Sequence, residues 1–360
     1  SEVRNIQEKA VLMIAEPTVY INKLTELIES IGYKVLTKQV NLKQIIESQR
    51  EANTAQLIML DVKYIKENKQ IVSELKAKLS LPIIVLSSRS VNDTAHTVYA
   101  ITNGASDFIV CERLEDDAYV QDVFKKITNV LTPNRINKSV IKRSKQRKHL
   151  SATPAKQRTT RKKVPKYPFD FIVAIGTSTG GPKALQTVLK QLPENFPAPI
   201  VIVQHMPSGF TKSLAKRLNE ICDIRVKEAS DGEVLQAGTA YIAPGDYHMA
   251  ITEDCHIEIY QEDVRDGHRP SVNILFKSIA VLEQIKKIAI ILTGMGKDGA
   301  LGIEKMKERD KETIVIVESK ETAIIHGMPR AALQTGYVTE VSRLEHIGKV
   351  ILHYVMERGI

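Results

Sequence analysis

The chain has 360 residues, 43% of them hydrophobic, no tryptophan, and a net charge of +9 at neutral pH; that length suits about two domains, each with its own core. No apolar run reaches the roughly 18 residues a membrane span needs, and no charged-then-apolar leader opens the sequence, so a cytoplasmic location is expected. Three widely separated cysteines, Cys111, Cys222 and Cys255, form no Cys-x-x-Cys pair, which argues against a disulfide framework or a zinc site.

Up to Leu131, short apolar runs alternate with amphipathic stretches. Val11–Ala15, Leu57–Leu60, Pro82–Leu86 and Ser106–Val110 read as strands, with a helix after Pro17 that ends near Gly32 and a closing helix over Asp116–Leu131. Strand and helix in alternation predict an α/β domain over residues 8–131, a parallel sheet with helices on both faces.

Residues 132–167 have no hydrophobic period. Between Arg135 and Lys166 stand 13 Lys/Arg and no Asp/Glu, so the rest of the chain is net acidic. The composition predicts a flexible basic linker that cannot bury enough apolar area to order itself, and that could tether the chain to an anionic surface. Neither aromatic interleaving nor a helix-turn-helix pattern points to specific nucleic-acid binding.

Over residues 168–357 the alternation restarts. Phe171–Ile175 and Ile200–Val203 read as strands, with helices over Pro182–Leu192 and from after Ser208 to near Asn219. Ala240–Tyr260 shifts toward period 2 around the turn residues Pro244-Gly245-Asp246 and Glu253-Asp254, which predicts antiparallel strands inserted in an otherwise parallel sheet. Ile288–Leu292 and Thr313–Val317 are the last two buried strands.

Three strand-end loops carry candidate chemistry. Gly176-Thr177-Ser178-Thr179-Gly180 is a Gly-x-Ser-x-Gly between a strand and a helix, the pattern of a nucleophile elbow; a glycine-rich loop there can also cradle phosphate, and Ser and Thr cap helices. His205 ends the next strand, on the edge where open α/β sheets place their sites. Gly294, Gly296 and Gly299 fit G-x-G-x-x-G, and Glu318 ends the following strand 19 residues later, as in a dinucleotide site with its ribose-binding acid. Against that reading Asp298 would repel a pyrophosphate; in the esterase reading it orients His205. The sequence thus leaves a Ser178/His205/Asp298 esterase, a nicotinamide-dependent oxidoreductase and a non-catalytic regulatory scaffold as alternatives.

The second half resembles the catalytic domain of chemotaxis protein-glutamate methylesterases. The resemblance is carried by Ile175–Pro182, Val203–Thr211, Ala240–His248, His268–Val272, Ile291–Ala300 and Gly327–Arg330. It implies Ser178 as nucleophile, His205 as base and Asp298 as orienting acid, with Thr179 and Met295 lining the site and no cofactor for the chemistry. It implies hydrolysis of glutamate methyl esters on the cytoplasmic helices of chemoreceptors and, in some members, deamidation of receptor glutamines. The family's N-terminal half is a flavodoxin-like receiver domain phosphorylated by a histidine kinase. Here Asp61 matches the phospho-acceptor and Ser87 the hydroxyl position, but the acidic pair that holds Mg2+ is reduced to Ala15-Glu16, leaving Glu16 and Asp61 as ligands. Cys111 and Glu112 replace the expected lysine and proline. These departures predict a pseudo-receiver acting as a lid or partner-binding module.

Overall fold

The computed structural model describes residues 9–37, 54–131, 166–262 and 268–357. The N-terminal sheet is built from β1 (Ala10–Ile14), β2 (Lys34–Thr37), β3 (Ala55–Asp61), β4 (Ile83–Ser87) and β5 (Asp107–Val110) in the order β2-β1-β3-β4-β5. All its pairings are parallel. Every residue of β1, β4 and β5 is buried, as expected of strands covered by helices on both faces. Two of those helices matter below: α4 (Val91–Thr102), after α1 to α3 (Val19–Ser30, Val62–Glu67 and Ile71–Leu79), and α5 (Asp117–Leu131), whose predicted extent is met to within one residue.

The C-terminal sheet has seven strands: β6 (Phe171–Thr177), β7 (Ile200–Gln204), β8 (Arg225–Glu228), β9 (Thr239–Ile242), β12 (Lys286–Ile291), β13 (Ile314–Glu318) and β14 (Glu340–Ser342). Their order is β14-β13-β12-β6-β7-β9-β8, again with parallel pairings throughout. The chain winds outward from β6 in both directions, so the order reverses there. Loops leaving the carboxyl ends of β6, β7 and β12 therefore surround the crevice of a doubly wound sheet.

The expected antiparallel hairpin is present, but its insertion into the main sheet needs correcting. Strands β10 (His248–Ile251) and β11 (Ile257–Tyr260) are antiparallel but form their own two-stranded ribbon, while β9 joins the main sheet as a parallel member. Ile251 and Ile257 are buried, as are both faces of β9, so a period-2 stretch here marks a ribbon packed on the sheet and not an insertion into it. The linker expectation falls mainly on residues outside the described ones. Tyr167, read as its last residue, is instead buried beside Phe169, and its hydroxyl donates to the Glu253 carbonyl at 2.8 Å. An aromatic ring beside an apolar sheet face gains more by burial than by remaining in a solvated spacer.

Between β6 and the elbow the packing leaves no room for a side chain at Gly176. A Cβ there would lie 2.4 and 2.8 Å from the two γ-carbons of Val272, a β-branched residue at the start of α8 (Val272–Ala280). Gly176→Ala should therefore lower stability by about 1–3 kcal/mol, seen as a lower urea midpoint with an unchanged slope. An unshifted midpoint would show that α8 can retreat from the strand.

Candidate active site

Ser178, His205 and Asp298 meet at the crevice. All three line one cavity of about 1150 Å³, together with Thr179 and Met295. Ser178 leaves the end of β6 on a turn completed by Gly180 at φ +82°, and α6 (Gly181–Leu189) begins immediately after it with Pro182 in its first turn. Gly181 is required by closeness: a Cβ would sit 1.9 Å from Gln204 Oε1. The backbone on either side is pinned. Ser178 N–H donates to Thr293 O at 3.1 Å, while Ser178 O accepts from Gly181 N–H at 2.8 Å and from Gln204 Nε2 at 2.9 Å.

His205 follows β7, with its N–H donating to Thr177 O at 3.1 Å. Its Nε2 is 2.8 Å from Asp298 Oδ2, and its ring stacks on His268 with centroids 3.8 Å apart and planes within 6°. Nδ1 is buried without a hydrogen-bond partner in the protein. The imidazole is thus held by its far nitrogen and one face, leaving Nδ1 as the ring atom available for proton transfer.

The Asp298 side chain has no exposed surface. Oδ1 accepts from Ser271 Oγ at 3.1 Å and Asn273 N–H at 2.8 Å, and Oδ2 accepts from Val272 N–H at 2.7 Å as well as facing His205. These donors are the first turn of α8, so the carboxylate also meets the positive end of a helix. Burial alone would raise its pKa, but the His205 hydrogen bond and charge, then the Asn273 and Val272 N–H groups, outweigh it and hold Asp298 at about 2. Neither Ser271, Val272 and Asn273 as donors nor the stacked His268 was predicted; only the position of this segment within the family resemblance hinted at a role.

The dinucleotide reading fails on the same loop. Gly294 N–H is spent on Ile325 O at 2.9 Å and Gly299 N–H on Asn273 Oδ1 at 2.9 Å, so neither can cradle a phosphate. Glu318 is fully buried and accepts from Thr293 N–H at 2.8 Å, out of reach of a ribose.

The N-terminal unit contributes part of the cavity wall, which sequence reasoning did not place. Asp107, at the amino end of β5, accepts from Thr179 Oγ1 at 3.0 Å through Oδ2 and pairs with Lys126 Nζ at 3.2 Å through Oδ1. Burial favours neutral Lys126, but Asp107, Tyr119 and Asp122 more than offset it and hold the amine above its usual range. Asn129 Nδ2 donates to Met295 Sδ at 2.8 Å. Around these contacts Phe108 stacks on Phe210 at 4.5 Å, and Thr94 on α4 shares a 2.9 Å hydrogen bond with Ser213 on α7 (Phe210–Ile221).

The acid pocket of the N-terminal sheet lies at the opposite ends of those strands. Asp61 caps α2 by accepting from Lys63 N–H at 2.9 Å, and the Lys63 ammonium pairs with Glu16. Lys66 pairs with Asp93, and Ser87 Oγ lies 2.6 Å from Thr97 Oγ1. Burial, then the backbone bond and charge of Lys63, set the Asp61 balance, and with Asp93 and Glu16 nearby its carboxyl is raised. Burial and the Asp61 charge push the Cys111 thiol up to about 12. Among the described residues no group of three His, Cys, Asp or Glu could hold a metal. Of the two carboxylates that the resemblance offers to Mg2+, Glu16 is paired with the Lys63 ammonium and Asp61 accepts from the Lys63 backbone N–H.

A family model described as CheB methylesterase matches residues 173–351. The protein-glutamate methylesterase/protein-glutamine glutaminase of Geobacillus kaustophilus is 43% identical over 283 residues, which cover 77% of this chain and 78% of that one. Its counterpart in Halalkalibacterium halodurans is 35% identical over 361 residues, covering 96% and 99%. The solved CheB methylesterase catalytic domain of Thermotoga maritima is 44% identical and covers 51% of this chain and 98% of its own, with a TM-score of 0.49. With similarity running through both halves of the molecule, the chain belongs to the protein-glutamate methylesterase/protein-glutamine glutaminase family.

Proposed function

We propose that the chain is a serine esterase that hydrolyses glutamate γ-methyl esters on chemoreceptor helices, and deamidates receptor glutamines with the same groups. The observation that carries this reading is the 2.8 Å His205 Nε2–Asp298 Oδ2 contact facing the cavity that Ser178 lines. Ser178 Oγ attacks the ester carbonyl carbon as His205 Nδ1 takes its proton. The tetrahedral intermediate is stabilised by backbone N–H groups at the elbow beside the α6 N-terminus. It expels methoxide, which leaves as methanol with the proton from His205. Water then attacks the glutamyl-Ser178 ester through the same base, freeing the glutamate carboxylate and restoring the serine. A glutamine side chain follows the same course with ammonia as the leaving group. Asp298 keeps Nε2 as the N–H end of the ring and stabilises the imidazolium.

The N-terminal unit acts in this reading as a lid. Asp107 and Asn129 engage Thr179 and Met295, two residues that a substrate side chain must pass. Its acid pocket carries its own cation in Lys63 and a half-buried neutral thiol in Cys111, so metal-dependent phosphoryl transfer to Asp61 is not its mode of control. The basic linker remains a proposed tether to anionic surfaces. No helix among the described residues is long and apolar enough to cross a membrane.

Ser178→Ala should abolish methanol release from methylated receptor, and a fluorophosphonate should label the chain at Ser178; release at the wild-type rate by the variant would sink the assignment. Asp298→Asn should cut kcat by roughly 10³–10⁴. The same variant tests stability. The Asp298 pKa is depressed on folding, from 3.8 to about 2, so its contribution is full above the unfolded value and disappears as pH falls through the folded one. Wild-type unfolding free energy should therefore decline between about pH 4 and 2 more steeply than that of Asp298→Asn.

Two measurements address the lid. Ser213→Lys places a charge against Thr94 on the docking face and should raise basal esterase activity several-fold; an unchanged rate would mean that the docked unit does not limit access. Incubation with acetyl phosphate and Mg2+ should leave Asp61 unmodified by mass spectrometry, and stoichiometric phosphorylation with a faster esterase would overturn the pseudo-receiver reading.

A further inference from the structure

Glu318 has no part in the mechanism above, yet it occupies a costly position. It ends β13 behind the active-site loop, it is fully buried, and Oε1 has no hydrogen-bond partner in the protein. Burial pushes its pKa up to about 7, with the Thr293 N–H and the Thr322 hydroxyl opposing the rise and the Glu345 carboxylate adding to it. For packing alone, an apolar side chain of similar volume would avoid this desolvation.

The carboxylate's partner explains what is gained. Oε2 accepts from Thr293 N–H at 2.8 Å, and every other polar group of Thr293 is committed to the elbow or its supports. Thr293 O accepts from Ser178 N–H at 3.1 Å and from Thr177 Oγ1 at 2.7 Å. Thr293 Oγ1 donates to Thr179 O at 2.9 Å and accepts from Ile325 N–H at 2.9 Å. The next residue, Gly294, runs so close that a Cβ on it would lie 2.9 Å from Ser178 Cβ and 3.0 Å from Ser178 N. One residue, through the peptide groups on its two sides, thus bonds Glu318 and the nucleophile's own backbone.

We infer that Glu318 is a positioning residue for Ser178: its carboxylate fixes the Thr293 backbone, and through that residue the height and direction of the elbow. This rests on the serine-esterase reading, and the test separates the two. The role demands an acceptor at the Oε2 position and no particular charge, so the amide oxygen of glutamine can fill it.

In Glu318→Ala, both fluorophosphonate labelling of Ser178 and kcat for methanol release should fall roughly ten- to hundredfold, with KM unchanged and the far-UV spectrum retained. Glu318→Gln should recover most of both rates, which a loss arising only from unfolding or repacking would not predict. Wild-type rates in folded Glu318→Ala, a rise in KM without loss of kcat, or a Gln variant as slow as Ala would each overturn the inference. Should Glu318→Ala fail to fold, Glu318→Asp carries the test, because it withdraws the acceptor by one methylene while keeping the acid. A folded, slow Asp variant supports the role and a folded, fast one refutes it. Absence of labelling in the wild-type chain would instead remove the serine reading on which the inference depends.

Discussion

A carboxylate with no exposed surface must be surrounded by donors or give up its charge, and at Asp298 that constraint assembles the catalytic half of the molecule. Two N–H groups and a hydroxyl from the first turn of α8 converge on it, and His205 completes the set. The loop after β12, the loop after β7 and the start of α8 are thereby locked together by one side chain. Asn273 extends the lock, since its side-chain oxygen accepts from the N–H groups of Gly299 and Gly302 at 2.9 and 2.8 Å. A triad requires a histidine held in one orientation, and here that orientation follows from satisfying a buried acid.

Ser178 is held by a second set of bonds, from Thr293, Gly181 and Gln204. The two sets are joined: Gln204 Nε2 also donates to His205 O at 3.1 Å, and His205 N–H donates to Thr177 O at 3.1 Å. Glu318 enters the Ser178 set at Thr293, so its proposed positioning role bears first on Ser178.

The legible and illegible parts of the sequence differ in physical kind. Strands buried on both faces, such as β6 and the Ile288–Ile291 part of β12, show as continuous apolar runs because helices cover them on either side. Strands β2, β8 and β14 carry Lys34, Arg225, Lys227, Glu228 and Glu340 and lie at sheet edges, where one side needs no apolar residue; they left no such signal. Ser178 and His205 were legible because each stands just past an apolar run, and Asp298 because it lies in the glycine-rich loop into which the Ile288–Leu292 run leads. The donors to Asp298 were not, since a serine, a valine N–H and an asparagine N–H announce nothing until a helix start brings them to an acid. Glu318 was noticed for its spacing from a glycine loop and given the wrong partner, because spacing cannot tell a carboxylate facing a ligand from one facing a backbone amide.

The placement of the acid pocket bears on the proposed lid. Asp107, which bonds Thr179, stands at the amino end of β5, whereas Cys111 follows the carboxyl end of that strand beside Asp61. Three residues of strand separate them, Phe108, Ile109 and Val110, all buried in a packed core, over a span of roughly 13 Å. A more direct route runs through α4: Asp93 pairs with Lys66 in the acid pocket, Ser87 Oγ lies 2.6 Å from Thr97 Oγ1, and the neighbouring Thr94 bonds Ser213 on α7. The docked face is also held by the partly exposed Arg89–Asp246 pair at 3.3 Å. In the proposed lid, a change at Asp61 and competition for the docked face would therefore act on the same helix and the loop that leads into it.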